Sequence, residues 1–279
     1  MHAFIELVNP IILYAALTVV ATVISLAYIG LYGIVFIGLE RFFPNNPDQP
    51  VIRQGMTTDF IYSASLTLYA PLSVYIVSRL QTYIYPANDV VSLQKDGLPP
   101  LSDLPLWVQI VLLFFVVDFV QYWVHRLFHK IPLLWRFHAI HHSSKTLDWL
   151  STQRWHPLNH IVYTMLIVDF MYVFGFSPKA MGLYLTLYGL NAMLVHANLK
   201  WTYGPFRYIF ASPVFHRWHH TSPEEGGNKN YAPYFSFLDV IFNTFYMPKD
   251  LQPKNFGIQN PIPDDFLGQL IHPFRKHSK

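Results

Sequence analysis

Apolar residues run along this chain in long blocks rather than in short alternations. Residues 7–39 contain no charged side chain. A bilayer core is crossed by about 20 helical residues, so this block predicts a tilted transmembrane helix. A cleaved signal peptide fits less well, because no Lys or Arg precedes the block and the apolar run is too long. Four more apolar segments follow, at residues 60–78, 104–124, 158–176 and 180–195. Ser177, Pro178 and Lys179 separate the last two, a break that predicts a helical hairpin. Its second arm is short for a full crossing and would lean on its neighbours or enter one leaflet. Beyond residue 251 the chain is rich in Pro and polar residues and predicts an irregular tail.

The pattern therefore predicts an all-α, polytopic membrane protein of four or five spans with a histidine-rich cap. Three regions are expected: N-terminal transmembrane helices over 1–103, a catalytic domain over 104–250, and a C-terminal tail over 251–279. An arrangement with the N-terminus outside and five spans puts 16 of the 19 Lys and Arg on one side. The positive-inside rule makes that side cytoplasmic.

Composition agrees with a membrane protein. Of 279 residues, 52% are hydrophobic and 13% charged, whereas soluble domains carry about 25% charged residues. A net charge of +3 calls for no nucleic-acid partner. There is no cysteine, which excludes disulfides, thiolate zinc sites, iron–sulfur clusters and cysteine nucleophiles. Histidine is the surplus residue, with 14 copies against 4 glutamates.

The histidines are patterned. In DFVQYWVHRLFH, the residues Asp118, Tyr122, His125 and His129 are spaced to share one helix face. His125 and His129, four apart, can hold one metal ion between them. The triplet H-x-x-H-H occurs twice, as His138, His141 and His142 and again as His216, His219 and His220. Neighbouring histidines on a helix point about 100° apart, so each adjacent pair can serve two different ions. Eight imidazoles are too many for one ion and reasonable for two. Imidazole suits zinc, copper, iron and nickel. The H-E-x-x-H pattern of hydrolytic zinc sites is absent from the chain. An all-nitrogen site beside a membrane suits redox chemistry better, with iron activating dioxygen against a lipid. A histidine-lined membrane metal transporter is the rival reading, but transporters place ligands near the bilayer midplane. A metal-binding membrane protein without turnover is the other.

The order H-x-x-x-H, H-x-x-H-H, H-x-x-H-H over membrane helices resembles the fatty acid hydroxylase/sterol desaturase superfamily of membrane di-iron oxygenases. The stretches RWHPLNH, VHANLKW, SPVFHRWHH, NKNYA and LDVIFNTFYMP support the resemblance. It implies helical spans under a cytosolic histidine cap, two irons, dioxygen as co-substrate and a lipid from the bilayer. It also implies further ligands between the triplets, and His156 and His196 stand at such positions. Where many relatives carry a glutamate after HPL this chain has Asn159 and then His160, which is either a ligand or a buried histidine bonded to a carbonyl. Where some carry a further ligand after the His196 position, Lys200 stands here. Asp118 is expected to accept a ligand imidazole N–H, with Tyr122 beside it. Asp169 is a weaker candidate of the same kind. Asp148 and Asp239 read as such partners or as helix caps. Trp107, Trp123 and Trp135 read as interfacial anchors. The chain has no flavin fingerprint, haem-binding domain or cysteine cluster, so electrons are expected from a ferredoxin, a cytochrome b5-like protein or a reductase. Hydroxylation is favoured over desaturation, and the oligomeric state is left open.

Overall fold

The computed structural model describes residues 2–67, 69, 101–222, 224–260 and 262–275. The larger part of the span expected at 60–78 lies outside these residues, as do His277 and the side chain of Asp169. Among the described residues the chain is helical, with isolated β-bridges Pro44–Leu199 and Thr221–Phe256 and no strand. The helices are α1 (His2–Phe42), α2 (residues 56–67), α3 (Leu106–Lys130), α4 (Pro132–His138), α5 (Pro157–Val173), α6 (Pro178–His196), α7 (Pro213–His219), α8 (Phe237–Ile241) and α9 (Phe266–Ile271).

The long helices follow the apolar blocks. On α3 the residues Trp107, Val111, Phe115, Phe119, Trp123 and Leu127 recur every four positions and are all exposed. Leu113, Val117, Gln121 and His125 lie on the buried side. The exposed stripe is the surface a lipid tail would cover. The buried side packs against Ile167 and Met171 of α5 and Ala180, Met181 and Tyr184 of α6. Lipid is as apolar as these side chains, so their close fit rather than escape from water holds the helices together. Gln109 ties the far end: its amide donates to the Ser102 and Leu104 carbonyls and accepts from Ser177 N–H. Ser177 caps α6 through Ala180 N–H, and Pro178 opens the helix.

Two described helices are long and apolar enough to cross a membrane, α3 and the Ser25–Phe42 part of α1. The apolar stretch Pro157–Val168 of α5 is shorter. α6, with 19 residues, is about 28 Å long at 1.5 Å per residue. α1 meets the rest through Phe36, which stacks on Trp149, and through Gly33, where an added Cβ would lie 3.3 Å from that indole. The tail is irregular apart from α9 and a 3-10 turn at His272–Phe274. It crosses the histidine cap and docks Phe266 on Tyr62 of α2.

Candidate metal centre

Nine histidines converge at the C-terminal ends of α3 and α6. His125 and His129 lie on the last turns of α3, and His196 ends α6. His138 ends α4, with His141 and His142 in the 3-10 turn that follows. His216 and His219 lie on α7 and His220 caps it. Ser212 fixes the register of that helix by accepting Phe215 N–H, with Pro213 at the first helical position.

The ligand atoms fall into two groups, each within 4.8 Å of one another: His125, His129, His138, His142 and His219, and His141, His196, His216 and His220. The adjacent pairs divide between them, His142 and His219 to the first, His141 and His220 to the second. The rings of His142 and His220 stack at 4.3 Å where the groups meet.

Hydrogen bonds decide what the nitrogens offer. A carbonyl oxygen only accepts, so an imidazole nitrogen facing one must carry the proton. The Nδ1–H of His125 donates to Tyr231 O, of His141 to Arg154 O, of His196 to Ala192 O and of His219 to Lys229 O. The Nδ1 atoms of His129 and His138 face the amide oxygens of Asn228 and Asn159. This leaves Nε2 lone pairs pointing inward. His141 Nε2 and His196 Nε2 are 3.2 Å apart, and both are lone-pair atoms by this reasoning. His216 Nε2 lies 3.2 Å from those of His196 and His220, and His125 Nε2 lies 3.1 Å from that of His138. Two nitrogens bound to one ion at about 2.1 Å lie about 3 Å apart when they subtend a right angle. The buried Nε2 atoms of His129, His142 and His219 have no protein partner. Burial, then the neighbouring imidazoles, pushes His138, His141, His142, His216, His219 and His220 well below the usual histidine value. The rings are therefore neutral and their lone pairs available. Converging lone pairs that repel one another are relieved by a shared cation, and nine imidazoles suit two imidazole-binding metals.

Some expected residues are elsewhere. His156 is corrected: Nδ1 accepts Leu158 N–H and Nε2 faces Leu270 O, so no lone pair is left for a metal. His160 is outside both groups, its Nδ1 3.4 Å from Thr164 Oγ1 and its ring edge-on to Tyr69. Asp118 is also corrected. It accepts the N–H groups of Tyr234 and Phe235, buried donors that need an acceptor, and it bonds to no histidine. Tyr122 shares a hydrogen bond with Thr244 and accepts one from Arg126, and reaches the centre only by packing on Tyr231. Asp148 caps a 3-10 turn, and Asp239, raised to about 6 by burial, accepts Tyr231 and Ala232 N–H. Trp135 is not a simple anchor: its ring lies 4.9 Å from that of His129.

Sequence reasoning missed the supports. Asn228, Lys229 and Tyr231 each provide an oxygen to a histidine of the five-membered group. Asn228 and Asn230 hold left-handed backbone, φ 61 and 56, which asparagine tolerates. Behind His141, Arg154 bonds Asp59, which bonds Arg53, which donates to both carboxylate oxygens of Asp148 through Nε and Nη2. Gly55, at φ 80, leaves room for Arg154: a Cβ there would lie 2.6 Å from its Nη2. Arg217 is fully buried between ligands, donating to Leu147 O and stacking on Phe256, and burial lowers it to about 10. The motifs NKNYA and HRWHH contain Asn228, Lys229, Asn230, Tyr231 and Arg217, but nothing in their spacing assigns the roles.

A helical protein that gathers nine histidines in two groups at its helix ends, eight of them buried and His129 half-buried, has the side chains of a histidine metal centre. The sequence model of the fatty acid hydroxylase family matches residues 110–244, so about half of the chain is similar to that family. It is 32% identical to the ornithine lipid hydroxylase OlsE of Rhizobium tropici over 63% of this chain and 53% of that one. It is 30% identical to the alkylglycerol monooxygenase of Homo sapiens over 53% of this chain and 33% of that one. It is 25% identical to methylsterol monooxygenase 1-1 of Arabidopsis thaliana over 76% and 71%. The chain spans about half or less of the length of the first relatives it matches. No solved structure matches it.

Proposed function

We propose that this chain is a membrane-embedded di-iron oxygenase that hydroxylates an unactivated C–H of a lipid. The observation that carries the reading is the pair of buried histidine groups whose Nε2 lone pairs face one another, His141 and His196 above all. The relatives, named as hydroxylases and monooxygenases of lipids, support the reaction class. Two irons held there would supply the reduction of dioxygen and the oxidation of the C–H bond. His125, His129, His138, His142 and His219 would hold one, and His141, His196, His216 and His220 the other. The carbonyls of Tyr231, Arg154, Ala192 and Lys229 hold four rings in one tautomer and one orientation.

The reaction consumes the lipid, dioxygen, two electrons and two protons, and yields the alcohol and water. The electrons would come from a separate ferredoxin, cytochrome b5-like protein or reductase. Desaturation by the same centre would depend on where the lipid is held. The polytopic topology, with further spans beyond the two long apolar helices and the histidine cap in the cytoplasm, belongs to the same proposal. Elemental analysis of protein made in iron-replete medium tests the centre, with two irons per chain expected. One metal or none in folded protein would overturn it. Turnover with oxygen-18 dioxygen and a lipid extract tests the chemistry, with label expected in a lipid product.

A further inference from the structure

A cavity of about 150 Å³ opens onto the five-histidine group. His129, His142 and His219 form its floor, and their Nε2 atoms are buried without a protein partner. Thr221, Gly227 and Asn228, with residues 258–260 of the tail, form its walls. Among the described residues that line it there is no Lys, Arg, Asp or Glu, and Glu224 touches it only through Gln259.

The polar walls have specific capacity left. Asn228 Oδ1 is taken by His129, so its amide N–H groups remain to donate. The amide nitrogen of Gln259 is taken by Glu224, so its oxygen remains to accept. Thr221 donates its hydroxyl to Trp218 O and keeps lone pairs. Asn260 adds a further amide at the mouth. Trp135 forms the apolar part of the wall, and on the same short helix Leu133 is 62% exposed. A polar chamber beside an exposed apolar edge fits an amphiphile.

We infer that this cavity receives the uncharged hydroxyl- or amide-bearing head of the lipid, so that the oxidised C–H lies within a few carbons of that head. This rests on reading the chain as a lipid oxygenase. A phosphate head would meet no cation in the cavity. A bare hydrocarbon would displace water from two asparagines, Gln259 and Thr221 and leave them unpaired, the costly case for polar groups. A hydroxyl or amide both donates and accepts, which is what the walls offer.

The absence of cysteine makes a direct test simple. Asn260→Cys in the full chain places a single thiol at the mouth. Its labelling by a water-soluble maleimide is followed with a monoacylglycerol, an N-acylethanolamine or a fatty acid of equal chain length. The first two are expected to slow labelling and the fatty acid is not. Equal protection by all three, or by none, would overturn the inference without any turnover. In Gln259→Leu, KM for the monoacylglycerol is expected to rise about tenfold, the scale of one lost hydrogen bond, with metal content unchanged. An unchanged KM would mean that the cavity holds only water. With oxygen-18 dioxygen and lipids from cells carrying the gene, the label is expected in the head-side fragment of the product. Label far along the chain overturns this inference and leaves the oxygenase reading standing. Absence of label from every lipid overturns the oxygenase reading and this inference with it.

Discussion

An imidazole binds a metal only through a nitrogen whose lone pair is free, and that condition sorts the histidines of this chain. His196 passes: its Nδ1–H is spent on Ala192 O and its Nε2 faces His141 and His216. His156 fails, because main-chain groups occupy both nitrogens. His196→Ala is therefore expected to lose one metal per chain while His156→Ala keeps both, as read by elemental analysis of folded protein. A metal lost in His156→Ala would return that residue to the ligand set. The same burial makes the metal-free fold sensitive to pH. Six buried imidazoles have pKa values below the ordinary 6.5. As pH falls through 6.5 the unfolded chain takes up protons that the folded chain does not, so the contribution is present above that pH and lost below it. The unfolding temperature of metal-stripped protein should drop on crossing 6.5 downward. A flat midpoint would count against neutral buried rings.

At the scale of elements, spacing conveyed which side chains could meet but not what holds them. H-x-x-H-H is a local signal, since one helical turn brings its members together, and both triplets were legible for that reason. The acceptors behind the rings are carbonyls and amides of loops, as with Tyr231 at 106 residues from His125. A carbonyl has no residue signature, so Arg154, Lys229 and Ala192 could not be picked out from sequence. Asp118 was misjudged on the same ground: its helix face points correctly toward the cap, but two loop N–H groups reach it first. The buried Arg53, Asp59, Arg154 and Asp148 network carries a further consequence. Coulombic attraction from Asp148 and Asp59 raises Arg53 despite its burial, so its guanidinium stays charged and depends on the carboxylates. Asp59→Asn removes one partner from a buried network, a loss of roughly 3–5 kcal/mol, to be read in unfolding by heat or denaturant. Arg154 also supplies the carbonyl that orients His141. Of the two metals in Asp59→Asn, the one in the four-histidine group should therefore pass faster to a chelator. Loss of both at one rate would show that Arg154 does not act through His141.

At the scale of the whole molecule, the apolar blocks at 7–39 and 180–195 lie within described helices, and those at 104–124 and 158–176 each overlap most of one. Block length can be read along one dimension, which is why these helices were legible. The path of the tail across the cap could not be read that way, because it is fixed by distant contacts such as Gln54 with Asp264 and Thr58 with Asp264 O. Which side of the membrane the cap faces is a question of charge, and the proposed answer is the cytoplasm. Asp103 precedes α3 and Lys254 lies in the tail beyond the histidines, so a single crossing by α3 puts them on opposite sides. Both are exposed and the chain contains no cysteine, so each can carry a lone thiol. In intact cells an impermeant maleimide should label Asp103→Cys and spare Lys254→Cys, while inverted vesicles should give the reverse. Labelling of Lys254→Cys in intact cells would put the histidine centre outside. A reductant of the cytoplasm could not then supply its electrons.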